Sequence, residues 1–98
     1  MLKKSLFKPV EIEVEGKVYP CCKPLTLDNV NRFDKFLADA FKEPKEAIEA
    51  VKYFFGVPHD IAYRQDLRYI QQINKYLYNS IITPETVEAN GDAKKKEG

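Results

Sequence analysis

Two amphipathic stretches separated by only two residues constrain this chain more than any other feature. Residues 26–41 place Val30, Phe33, Phe36, Leu37, Ala40 and Phe41 on one face at helical spacing, with Asp28, Asn31, Arg32, Lys35 and Asp39 turned to water. Residues 44–55 repeat the pattern with Ala47, Ile48, Val51, Phe54 and Phe55. A link as short as Lys42–Glu43 predicts an antiparallel helix pair. The ends are signalled as well. Thr26 is a side-chain N-cap, Leu25 and Val30 have the spacing of a hydrophobic staple, and Asp28 sits where the helix dipole favours a carboxylate. Pro44 suits a first helical position because its missing N–H costs nothing there. Gly56 is the expected residue after the second helix, and Pro58 stops its continuation.

The flanking segments fill out the fold. Val10, Ile12 and Val14 alternate with Glu11, Glu13 and Glu15, the period of a strand with one apolar face. Glu15–Gly16–Lys17 is the expected turn, and Val18 and Tyr19 start a return strand that Pro20 confines to an edge. That edge is expected to be open, and so able to pair with another subunit. Residues 58–80 carry a third helical region. Pro58 opens it, a break is expected near Gln65, and Asp66 caps a longer segment whose stripe is Leu67, Ile70, Ile73, Asn74, Leu77 and Ile81. The predicted fold is mainly α in the α+β sense, an N-terminal β-hairpin followed by three or four helices. It occupies residues 10–82, with an N-terminal arm at 1–9 and a polar, disordered tail at 83–98.

With 98 residues the chain buries roughly 60–65% of its unfolded surface, which leaves little room for an enclosed active site. Lys and Arg total 16 against 15 Asp and Glu, with the signs mixed along the chain. That balance disfavours nucleic-acid binding, since duplex binders concentrate positive charge on one face. No apolar run is long enough to span a bilayer, and Lys8, Pro9 and Glu11 interrupt any signal-peptide core, so the expected location is cytoplasmic.

Chemistry finds no candidate centre. Cys21 and Cys22 are adjacent, a spacing too strained for a stapling disulfide, and with His59 they fall short of a zinc ligand set. There is no glycine-rich phosphate loop. Asp60, Asp66 and Glu49 have generic spacing, and His59 reads as a local polar contact. No catalytic, cofactor-binding or metal-ligating residue is expected.

Six Phe and six Tyr occur without a Trp. The phenylalanines fall mostly on inward faces and are expected in the core. Tyr53, Tyr63, Tyr69, Tyr76 and Tyr78 are too many for one small core, and tyrosine suits a protein interface. Arg64 and Arg68 lie beside them. The candidate protein-binding residues are therefore Tyr63, Arg64, Arg68, Tyr69, Tyr76 and Tyr78. Phe36, Phe41, Phe54 and Phe55 are expected to line or support a groove that accepts amphipathic helices.

The order of these elements resembles a known family. A strand pair turning near Gly16 leads to the helix start Leu25–Thr26–Leu27…Phe33. The link Phe54–Phe55–Gly56–Val57–Pro58–His59–Asp60 then precedes a helix containing Ile73–Asn74–Lys75–Tyr76–Leu77. Over residues 10–80 this is similar to the small tail assembly chaperones of long-tailed bacteriophages. The resemblance implies a non-enzymatic protein in the host cytoplasm, able to form a homo-oligomer, that binds the long amphipathic helices of a tape-measure protein and is not retained in the finished tail. It also implies a programmed frameshift near the end of the gene, with which the codons of Lys94–Lys95–Lys96 are compatible. The alternatives are a small nucleic-acid-binding regulator, drawing on Arg64, Arg68 and Lys75, and a structural component of a phage particle.

Overall fold

The computed structural model describes residues 7–84. Within them a β-hairpin, β1 (Glu11–Val14) and β2 (Lys17–Pro20), precedes four helices: α1 (Leu27–Ala40), α2 (Lys45–Phe55), α3 (His59–Tyr63) and α4 (Leu67–Ile82). This is the hairpin-plus-helices architecture expected from the sequence. The expected disordered tail, beyond Thr83 and Pro84, and most of the expected arm lie outside the described residues. No helix among the described residues is long and apolar enough to cross a membrane.

The helix boundaries follow the local chemistry. Thr26 has extended backbone and its side chain accepts the N–H of Asn29, while Asp66 does the same for the N–H of Arg68. Gly56 ends α2 with φ +67°, the left-handed conformation that only glycine adopts without cost, and its N–H returns to the Lys52 carbonyl at 2.9 Å. Arg64 and Gln65 break α3 from α4, near the expected residue.

The hairpin turns on two residues rather than three. Glu15 and Gly16 both have positive φ, +52° and +82°, and Lys17 already pairs with Val14. Two left-handed central residues match the twist of the flanking strands. Glu15 thus occupies a conformation uncommon for a side chain with Cβ. In such a hairpin the pair flanking the turn exchanges hydrogen bonds, and so do alternate pairs beyond it. The register is Glu11–Pro20, Ile12–Tyr19, Glu13–Val18 and Val14–Lys17. Pro20 therefore falls at a position that needs no N–H. The alternation continues past the strands, where the Cys21 N–H donates to the Val10 carbonyl at 2.8 Å.

The core lies between the hairpin and the helices. Ile12, Val14 and Tyr19 pack with Phe33, Ile48, Val51, Phe54, Phe55, Ile70, Ile73 and Leu77. Phe33 and Phe54 meet edge-to-face at 5.4 Å, and Tyr53 meets Phe54 at 5.0 Å. The central helix is α2, which packs on α1, α3 and α4, while α1 and α4 make little contact with each other. One expectation for α1 needs correction. Of its apolar face only Phe33 is fully buried, and Phe41 is 93% exposed. Phe41 is the C-cap of α1, past the turns that α2 covers, so helical periodicity counts it as inward while the packing leaves it out.

Candidate functional site

The tyrosines of the late helices are mostly engaged within the chain. The Tyr76 hydroxyl oxygen accepts the Glu11 N–H at 3.1 Å, and the Tyr69 hydroxyl donates to the Glu13 carbonyl. By the hairpin register, these backbone groups of β1 point away from β2. The two tyrosines therefore close the outer edge of β1. Tyr63 stacks on His59 with ring centroids 4.3 Å apart, and its hydroxyl donates to the Glu49 carboxylate. That bond lowers the Glu49 pKa and raises that of Tyr63 to about 12.

The arginines are held as well. Arg64 grips Glu15 with Nε at 2.7 Å and a second nitrogen at 2.6 Å, and the Gln65 amide adds a bond at 2.8 Å. The Arg64 bonds first, and then that of Gln65, lower the Glu15 pKa to about 2. Arg68 likewise pairs with the capping Asp66 at 2.8 Å, and Asp66 is lowered to about 2. Phe54 and Phe55 are buried and present no surface; they support the core. Phe36 is half-buried against Tyr53.

One exposed apolar feature is a groove. Because α1 and α4 flank α2 with little contact between them, a trough of about 410 Å³ opens between the end of α1 and the outer face of α4. Leu37, Ala40 and Phe41 form one wall, and Leu67, Gln71, Asn74, Lys75 and Tyr78 form the other. Pro44 and Ala47 lie at the start of α2. Leu67 is 45% exposed and Tyr78 43%. Of the ten residues singled out in the sequence, the structure brings only Phe41 and Tyr78 together here.

Asn74 is the unusual member of the lining. It is buried, its Nδ2 donates to the Ala47 carbonyl at 3.0 Å, and its Oδ1 has no hydrogen-bond partner. The sequence did carry a trace of this, a lone amide within the apolar stripe of α4. A second cavity, of about 820 Å³, lies between Phe7–Val10 and the end of α4. Its lining is mixed, with Phe7, Val10, Leu25 and Ile81 beside Lys8, Gln72, Asn79 and Ser80, and it abuts the ends of the described residues.

Other polar groups are locally engaged. The Cys21 and Cys22 thiols are free and donate to the backbone carbonyls of Lys23 and Tyr53. His59 Nδ1 is 2.9 Å from the Lys52 ammonium. No group of three or more His, Cys, Asp or Glu among the described residues is arranged to hold a metal. Comparison with protein-family models, with curated proteins and with solved structures finds no match for the chain.

Proposed function

We propose that this is a non-catalytic protein-binding domain whose α1–α4 groove receives an amphipathic helix of a partner protein. The groove carries this reading. It is an apolar trough between two helices, with Phe41 and Leu67 left to solvent on opposite walls. Burying a side chain as exposed as Phe41 contributes about 1.5–3 kcal/mol, before the ordering costs of association.

Within that reading, the sequence resemblance favours an assembly chaperone of the phage-tail type acting on a tape-measure protein. The gene and a co-expression experiment test it together. The gene is expected between a tail-tube gene and one encoding a very long helical protein. Co-expressed, the chain should co-purify with that helical protein, and Phe41→Asp should abolish the association. A gene without such neighbours, or co-purification indifferent to Phe41, would contradict the proposal.

The regulator alternative drew on Arg64, Arg68 and Lys75. The two arginines are paired with carboxylates in the structure, which leaves Lys75 alone of the three and favours the protein-binding reading over a phosphate-binding one.

A further inference from the structure

We infer that this chain's own segment Glu85–Glu88, just past the described residues, pairs as an antiparallel strand with the N-terminal arm at Phe7 and covers the mouth of the cavity of about 820 Å³. The two ends of the chain are then tied to each other beside α4.

The arm already shows half of this pairing. Phe7 makes a β-bridge, yet β1 pairs only with β2, through Glu11–Val14 and Lys17–Pro20. Neither Phe7 nor Lys8 is without a partner, and the hairpin supplies neither. A partner within residues 1–6 would require the arm to reverse on itself. Met1–Leu2–Lys3–Lys4–Ser5–Leu6 has no Gly, Pro, Asn or Asp to turn on.

The direction of α4 brings the other end of the chain to the same place. Tyr69 bonds Glu13 and Tyr76 bonds Glu11, so the helix runs antiparallel to β1 and to the arm before it. From Tyr76 to Thr83 the chain advances about 10 Å along the helix axis. That equals about three residues of extended chain, which leads back from Glu11 to Lys8. Thr83 and Pro84 do line the cavity together with Phe7, Lys8 and Pro9. Thr83 has left the helical conformation, with φ −136°, ahead of a proline that disfavours helix. Chain continuing in this direction comes opposite Phe7.

The residues that follow suit the place. Thr86 and Val87 are β-branched, and Val87 is the one large apolar residue beyond Pro84. Phe7, 49% exposed, offers it a contact beside Leu25 and Ile81 of the cavity lining. Glu85 and Glu88 face a basic arm that carries Lys3, Lys4 and Lys8. An isolated strand pair is marginal in water, and here the apolar lining supports it.

The test is solution NMR on the full chain. Val87 methyl protons should show NOEs to the Phe7 ring, and at least one amide among residues 6–8 should exchange slowly. Val87→Ser, or Glu85→Lys with Glu88→Lys, should remove the NOEs or the protection and speed that exchange about tenfold or more. The Val14 and Phe33 amide shifts should stay in place, which shows that the core has kept its fold. Unchanged exchange in both variants would overturn the inference, as would NOEs to the Phe7 ring from Leu2 in place of Val87. A mixture of ¹³C-labelled and unlabelled chains separates the last possibility: NOEs found only between chains would assign the contact to a second copy and overturn it too.

Discussion

The phenolic oxygen of Tyr76 accepts the backbone N–H of Glu11 at 3.1 Å, so a helix near the end of the chain closes the edge of its first strand. Tyr69 completes the closure at the Glu13 carbonyl. Replacing both tyrosines by phenylalanine keeps the rings and removes only the two bonds. Each bond contributes about 0.5–1.5 kcal/mol, so the double variant should lose about 1–3 kcal/mol in urea unfolding. The uncovered strand edge should also promote self-association, visible by sedimentation velocity. Unchanged stability and a monodisperse variant would show that the hydroxyls do not hold the edge.

The grip of Arg64 and Gln65 on Glu15 makes hairpin docking sensitive to acid. Glu15 is lowered from its ordinary 4.5 to about 2 in the folded chain. A depressed carboxylate pKa stabilises the folded state fully above the unfolded value, and that stabilisation is lost as pH falls through the folded one. The Glu15 contribution should therefore be intact above pH 4.5 and disappear toward pH 2. A carboxyl-carbon NMR titration reads this directly, and Arg64→Gln should return Glu15 toward its ordinary value. A midpoint near 4.5 in the unmodified chain would contradict the ion pair.

Gly56 ends α2 in a conformation that side chains resist, yet the space around it is ordinary. A Cβ there would lie 3.6 Å from the Cys22 sulfur, a normal contact. The cost of Gly56→Ala is therefore one of backbone, about 1–2 kcal/mol by thermal unfolding. A loss much larger than that would point to packing instead.

Phe54 and Phe41 separate core from surface. Phe54 is fully buried against Phe33 and Tyr53, and Phe54→Ala should cost about 3–5 kcal/mol. Phe41→Ala should change stability by less than about 0.5 kcal/mol, because the ring is 93% exposed. Denaturant unfolding of the two variants gives the comparison, and a large loss at Phe41 would mean that it packs within the fold.

The elements of this fold were legible because their signals are local. Thr26, Asp66 and Gly56 act on backbone groups within four residues, and the alternation of Ile12 and Val14 reports a face directly. The site was less legible because it depends on how elements meet. Tyr69 and Tyr76 had the composition of an interface, but their partners are 56 and 65 residues away in β1. No periodicity shows that Phe41 lies beyond the reach of α2, or that α1 and α4 stand apart. Asn74 was visible as a polar residue in an apolar stripe, but only the structure shows that half of its amide is unpaired.

The groove is tested most directly by titrating ¹⁵N-labelled chain with an amphipathic helical peptide and following the amide signals. Docking between α1 and α4 predicts shifts concentrated at Leu37, Ala40, Phe41, Leu67, Gln71 and Tyr78, and their loss in Phe41→Asp. Shifts centred instead on Tyr63, Arg64 and Val18, on the far side of the hairpin contact, would contradict it.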